Sequence, residues 1–465
     1  MNDPFASAPL TAAGLPQATV AEWTRSTPSA TADYDSDLHQ FVEFWARSDH
    51  LLKRLPAKPK RNATEGAAAE TIFLMARDSH ERFLSAYVER VYDDLTDRCS
   101  RFLRLEDLVY DAPRAVPGLV PTREEVAAEA ALDQRDKDGV EIDQGIFLAH
   151  VLAGERTGLH LCHAMLLPRS ESKELVAKFG VDGILDLDFA RLERKGKAVH
   201  LTAANPRVLN AEDDTTLDEM EIAVDVAILD QSTNIAVMRG GTVEHPKYRD
   251  RHVFGAGINL TRLYRGKIPY VWFLKRDMGY VHKLLRGVAR PDCLPDDVHG
   301  RGVEKPWIAA VDTFAIGGHC QVLLCMDYVL AAADAYLTLP ARKEGIIPGL
   351  ANLRLPRFTG DRIARQAIQY ERTLPCSSPE GRLICDEIAP PAEMDAAIEH
   401  AVAGLTSSGA VSVVGNRRAF RVGEEPLDLF RRYCSVYARE QAYCHFSPGL
   451  IANLERHWDA KNRGI

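Results

Sequence analysis

The sequence predicts an α/β protein: a core of alternating strands and helices, with an all-helical block before it and further helices after it. Three observations carry the prediction. Strand-like and helix-like runs alternate from about Lys197 to Leu339. Before them, from Asp33 to Arg194, apolar residues fall at helical spacing. From Arg362 onward the helical period returns.

The elements follow in order. Residues 1–31 are rich in Ala, Pro, Ser and Thr and are expected to be mobile. Residues 32–195 form the expected helical domain. Leu38, Phe41, Val42, Phe44, Trp45, Leu51 and Leu52 share a helix face, and Glu65–Leu103 is a long Ala/Leu/Arg/Glu run. Pro113 and Pro117 interrupt it before two more helices, Glu124–Leu132 and Asp143–Leu166. Residues 196–375 make the core. Val199–Ala203 reads as a strand, Asp214–Asp230 as an amphipathic helix and Ile235–Met238 as the next strand, a βαβ unit that requires parallel strands. Tyr264–Arg286 reads as one helix and Val288–Arg301 as a loop. Residues 376–465 carry the C-terminal helices, Pro426–Cys444 and Leu450–Lys461 among them.

Composition narrows the function. A net charge of −9 without a basic run argues against a nucleic-acid surface. No apolar run is long enough to span a bilayer, and Met1–Val20 lacks the basic start and apolar core of a signal peptide. The nine cysteines are scattered without C-x-x-C pairs, which points to free thiols in the cytoplasm.

Two small-residue turns mark the candidate site. Trp307–Val311 is a short apolar strand. Gly317-Gly318 turns the chain behind it into the apolar run from Val322, so unpaired N–H groups face whatever sits before the helix. Upstream, His252–Leu260 is another strand end entering the turn Gly255-Ala256-Gly257. It has no third glycine for a dinucleotide fingerprint.

Together Phe254–Leu260 and Lys305–Gln321 resemble the crotonase (enoyl-CoA hydratase/isomerase) superfamily, whose patterns are F-x-A-G-x-D-L and K-P-x-I-A-A-V-x-G-x-A-x-G-G-G-C-E. Asn205–Ala211 with Ile235–Gly241, and Asp327–Pro340 with Gly345–Gly349 and Arg354–Gly360, agree in the same order. The resemblance implies a crotonase-like ββα spiral core. It implies a CoA thioester as substrate and a homo-oligomer, expected as a hexamer built as a dimer of trimers. By the same resemblance the amides of Ile258 and Gly318 form an oxyanion hole for the thioester carbonyl, framed by Ala256, Gly257, Asn259, Gly317 and Ile347. Arg207 meets the CoA phosphates.

The departures are informative. Hydratases carry one catalytic Glu where this chain has Gln321 and a second where it has Ala341. An amide takes no proton and a methyl does nothing, so water addition by paired carboxylates is not expected. His319 replaces the third family glycine and is read as packing. This combination, with the helical extension, H-P-K-Y at His245–Tyr248 and F-L-K-R at Phe273–Arg276, resembles the dioxygenase branch of the superfamily, found in glycopeptide-antibiotic biosynthesis. The implied chemistry needs neither metal nor organic cofactor. The enolate of a dihydroxyphenylacetyl-CoA passes an electron to O2, the peroxide attacks the thioester, and CoA leaves. Arg276, Gln321 and Glu212 are then expected at the ring hydroxyls, and His245 near the thioester or pantetheine.

Plainer readings stand beside these. Gln321 also suits a helix cap, Arg276 and Glu212 surface charges, and His245 an exposed loop. His160, Cys162 and His163, or His457 and Asp459, are the nearest thing to a metal set, and their spacing does not complete one. The competing functions are another acyl-CoA reaction (thioesterase, isomerase or decarboxylase) and a non-catalytic acyl-CoA-binding protein.

Overall fold

The fold comes from a computed structural model that describes residues 4–295, 301–407 and 409–464. Part of the loop expected over Val288–Arg301 therefore lies outside the described residues. The chain divides into two compact units: Met1–Leu161 with Arg265–Val271 and Cys434–Pro448, and Cys162–Tyr264 with Trp272–Tyr433 and Gly449–Ile465.

The first unit is helical. Its longest element is the helix Ala63–Thr96, which begins in a reciprocal cap: Asn62 accepts from the Glu65 amide at 2.9 Å, and Glu65 accepts from the Asn62 amide at 2.8 Å. It stops where Asp97 takes a left-handed conformation at φ 48°. The chain start differs from the mobile segment expected. It forms the helices Pro4–Ala12 and Gln17–Arg25. The reason is a sparse set of anchors, Leu10, Leu15, Val20 and Trp23, all buried. Trp23 stacks on Phe44 with 5.6 Å between ring centroids and donates its indole N–H to Ser48 Oγ at 2.9 Å. Composition alone concealed four well-placed apolar residues.

Among the described residues the second unit is built on ten strands: β1 Ile184–Asp186, β2 Ala190–Lys195, β3 Ala198–Ala203, β4 Ile235–Gly240, β5 Trp307–Val311, β6 Phe314–Ile316, β7 Tyr328–Ala332, β8 Tyr336–Thr338, β9 Leu374–Pro375 and β10 Glu387–Ala389. The larger sheet runs β1-β2-β3-β4-β5-β7-β10 and the smaller β6-β8-β9. From β3 to β10 the larger sheet is parallel, as the βαβ pattern requires. β1 and β2 add an antiparallel edge. They fall within residues expected to be helical. β2 is Arg/Lys/Glu-rich and buries only alternate positions, so its strand period is hidden behind charge. The central strands are apolar on both faces, and β5 is buried at every position.

Two features aim the chain at one place. Only Asp312 and Thr313 separate β5 from β6, so the backbone leaves one sheet and enters the other in two residues. The stretch expected to be one helix, Tyr264–Arg286, is broken: Leu260–Tyr264, Val271–Arg276, a π-helical turn Asp277–Val281, then His282–Arg286. Gly266, at φ 67°, and Pro269 account for the first interruption.

Candidate active site

The strap Gly255–Ile258 is laced between two partners. On one side Gly255 bridges Ala315 of β6, with the Ile316 amide donating to Gly255 O at 3.0 Å. On the other the Glu212 amide donates to Gly257 O at 2.7 Å, and the Asn259 amide to Glu212 O at 2.8 Å. In that parallel bridge the N–H of Ile258 points away from Glu212. It finds no protein acceptor among the described residues, and neither does the N–H of Gly318. The two donors are neighbours: Gly318 N lies 3.2 Å from where a Cβ on Gly257 would stand. Gly257 itself needs its glycine, with φ at 79° and that Cβ 2.9 Å from Ile316 O.

In front of the strap opens a cavity of about 720 Å³. Ala256, Ile258, Asn259 and Ile316 line its inner part, Arg207 and His245 are exposed at its rim, and Glu344, His457, Trp458 and Arg463 complete other walls. Asn259 also caps the helix Leu260–Tyr264, accepting from the Arg262 amide at 3.2 Å and donating to Asp213 at 2.9 Å. His245 Nδ1 accepts from the Lys247 amide at 3.2 Å. Ile347 is half-buried and does not line the cavity.

Glu212, Arg276 and Gln321 are not surface residues. All three are buried and joined to one another. Arg276 Nε donates to both Glu212 oxygens, at 2.9 and 3.1 Å. One guanidinium NH₂ donates to Asp277 at 2.8 Å and to Gln321 Oε1 at 3.0 Å, and the other to Gly318 O at 2.8 Å. Tyr280 O–H donates to Glu212. Burial by itself would raise the Glu212 carboxyl, but Arg276, His319 and Tyr280 outweigh it and hold it below its usual range. Burial opposes the Arg276 charge too, yet Glu212, Tyr280 and Asp277 keep it firmly protonated. The result is a desolvated ion-pair cluster, tied through the Arg276 bond to Gly318 O to the turn that carries the Gly318 N–H.

His319 is buried against Phe254, edge to face at 5.9 Å between centroids. Its Nδ1 accepts from the Gly257 amide at 3.1 Å, so it fastens one glycine turn to the other. Burial, aided by Arg276 and opposed by Glu212, lowers its pKa to about 4.

Sequence reasoning missed Tyr280, Asp277 and Glu344. The last had a signal: it lies three residues after Ala341 on the short helix Ala341–Glu344, hence on the same side of it. Among the described residues no three His, Cys, Asp or Glu side chains converge as a metal cage would. His160 Nδ1 is hydrogen-bonded to Tyr92 O–H at 2.8 Å, and His163 Nε2 to Arg290 O at 3.0 Å.

Two adjacent main-chain donors that find no protein acceptor among the described residues can stabilise an oxygen on which negative charge develops. The enoyl-CoA hydratase/isomerase family profile matches residues 193–421, the stretch that carries both glycine turns and the Glu212, Arg276 and Gln321 cluster. The chain belongs to that family, and its core has the crotonase fold. It is 44% identical to (3,5-dihydroxyphenyl)acetyl-CoA 1,2-dioxygenase of Amycolatopsis orientalis over 432 residues, covering 93% of this chain and 98% of that one. Similarity to the short-chain-enoyl-CoA hydratase of Clostridium acetobutylicum is 26% over 242 residues, 51% of this chain and 83% of the hydratase. Among solved structures, an enoyl-CoA hydratase of Mycobacterium avium subsp. paratuberculosis K-10 superposes with a TM-score of 0.47 at 18% identity, covering 58% of this chain and 98% of that one.

Proposed function

We propose that the protein is a dioxygenase that converts (3,5-dihydroxyphenyl)acetyl-CoA and O2 into 3,5-dihydroxyphenylglyoxylate and CoA, without metal or organic cofactor. The observation that carries this reading is the similarity to the Amycolatopsis dioxygenase, which extends through both units rather than the family core alone. The residues at the site support it. The amides of Ile258 and Gly318 bind the thioester oxygen. As an α-proton leaves, charge moves onto that oxygen, and each fixed donor contributes about 3 kcal/mol to the barrier reduction. Arg276, paired with Glu212 and Asp277, braces the Gly318 turn through Gly318 O, and Gln321, held by Arg276, offers an amide rather than a carboxylate. Gly257 and Gly317 shape the turns, and Ile347 supports the loop beyond Ala341.

The enolate then has no acid waiting at Gln321 or Ala341, and O2 is the electrophile. One electron pair of the carbanion ends in a C–O bond. The distal peroxide oxygen attacks the carbonyl carbon and CoA departs. The O–O bond breaks as the second α-hydrogen is lost, which leaves a ketone and a carboxylate. Arg207, at the cavity rim, meets CoA phosphate, and His245 stands beside the entering chain. Glu212 keeps Arg276 in place.

The reading extends to assembly and location. Val411 and Val422, three turns apart on one side of the helix Ala410–Glu424, leave 88% and 67% of their surface exposed, an apolar pair suited to contact with a second copy of the chain in a homo-oligomer. All nine cysteines are free thiols, in keeping with a cytoplasmic setting. No single helix among the described residues is long and apolar enough to cross a membrane.

The test is O2 uptake by metal-stripped protein supplied with the thioester, with ¹⁸O2 labelling. The reading expects one O2 per CoA released and two labelled oxygens in the product. CoA release or rearranged thioester under nitrogen at the aerobic rate would favour a thioesterase, isomerase or decarboxylase. Binding without turnover would favour an acyl-CoA-binding protein.

A further inference from the structure

We infer that Glu344 is the base that removes the substrate's α-protons, in place of the carboxylates that Gln321 and Ala341 do not supply. This rests on the dioxygenase reading above and assigns its missing proton acceptor.

The argument begins with position. Glu344 lines the same cavity as Ile258 and Ile316, and its Oε1 is 3.9 Å from where a Cβ on Gly317 would stand. Gly317 immediately precedes the Gly318 donor. A thioester whose oxygen sits on the Ile258 and Gly318 amides has its α-carbon two bonds from that oxygen, in the space this carboxylate borders. Glu344 is more than nine-tenths buried, and its carboxylate has no hydrogen-bond donor among the described residues. A buried carboxylate that no protein donor satisfies is costly to keep. Here the residue lines the cavity.

The second carboxylate at this turn makes a useful contrast. Glu212 Oε2 is 2.8 Å from where a Cβ on Gly318 would stand, but Arg276 and Tyr280 occupy its oxygens. That anion is a poor base. Glu344 is the opposite case: burial, with the nearby Glu371 adding to it, pushes its carboxyl up to about 7. Glu371 is itself paired with Lys343 at 2.6 Å, and the other charged or titratable cavity residues are Arg207, His245, Lys343, His457 and Arg463. A base poised near neutral pH takes a carbon-bound proton more readily than one held low.

The proton count closes with one residue. Glu344 takes the first α-proton, and the C–H electron pair becomes the enolate. That proton passes to the departing CoA sulfur. Glu344 then takes the second α-proton as the O–O bond breaks; the C–H pair forms the ketone, the O–O pair stays on the carboxylate oxygen, and the proton leaves to solvent.

The experiment is α-hydrogen exchange under nitrogen in D2O, followed by NMR of (3,5-dihydroxyphenyl)acetyl-CoA with the full-length protein. The parent is expected to exchange. Glu344→Gln, which keeps the shape, is expected to lose about 100-fold or more of the rate while binding the thioester with little change. Glu344→Asp, a shorter carboxylate, is expected to recover part of it. Exchange in Glu344→Gln within about threefold of the parent overturns the assignment. Should the Gln variant fail to fold, Glu344→Asp decides: exchange slowed at least about tenfold supports Glu344, and exchange within about threefold of the parent overturns it. Exchange that is lost in Glu344→Gln, by a parent that consumes no O2 in air, would instead overturn the dioxygenase reading and leave Glu344 as the base.

Discussion

The Nδ1 of His319 accepts the Gly257 amide at 3.1 Å, so the ring proton sits on Nε2 and the imidazole is neutral. The ring lies so close that a Cβ on Gly255 would stand 2.3 Å from three of its atoms. One side chain thereby fixes both turns that carry the candidate donors.

This has a pH signature. The folded-state pKa of His319, about 4, lies below its ordinary 6.5, so between those values the unfolded chain binds more protons than the folded one. The stability linked to this group is complete above pH 6.5 and is lost as pH falls towards 4, about 3 kcal/mol in all at about 1.4 kcal/mol per unit. His319→Gln should lower the midpoint at pH 7.5, since Gln accepts the amide less well, yet lose less on going to pH 4.5. His200 and His445 are also depressed, to about 4 and about 3, so the difference between parent and variant is the quantity to measure.

Gly257→Ala should cost about 1–3 kcal/mol of stability, because a side chain at φ 79° is strained and the new methyl meets Ile316 O at 2.9 Å. Activity should fall further than stability does, since the methyl intrudes beside Gly318 N. Chemical denaturation and O2 uptake on the same preparation separate the two effects.

Arg276→Met strands the buried carboxylates of Glu212 and Asp277. Removing one partner of a buried ion pair typically costs about 3–5 kcal/mol. The double variant Arg276→Met, Glu212→Gln should regain part of that stability while O2 uptake stays abolished. Denaturation midpoints of the single and double variants check the first point and oxygen electrode traces the second.

Glu344 carries the opposite pH sign to His319. Its carboxyl is raised from 4.5 to about 7, so its contribution to stability is present below pH 4.5 and falls as pH rises towards 7. Glu344→Gln should therefore be more stable than the parent at pH 8 and lose that advantage by pH 4.5. Melting curves at the two pH values test this independently of catalysis.

Much of the second unit was legible because its signals are local. Parallel strands such as Trp307–Val311 are continuous apolar runs, and both turns announce themselves by glycine. The first residues misled because four anchors, among them Trp23, are diluted in Ala, Pro and Ser. The strand Ala190–Lys195 misled because charge covers its exposed face. At the site, sequence marked Glu212, Arg276 and Gln321 but not that Arg276 binds the other two. Such pairings depend on contacts across 64 and 45 residues of chain, which no periodicity encodes. Glu344 escaped because attention fell on Ala341, one helical turn away.

The widened turn at Asp277–Val281 makes segment length itself a functional variable. Gly279, at φ −87° and ψ −114°, breaks the helical path inside this segment, so taking one residue out would reorient everything beyond it. Tyr280 would leave Glu212 and Lys283 would leave Asp225, its partner at 2.6 Å, although no side chain had been altered. A single-codon deletion here would thus behave like several simultaneous substitutions, and homologues that differ by one residue in this stretch should be expected to have rebuilt the cluster behind Gly318.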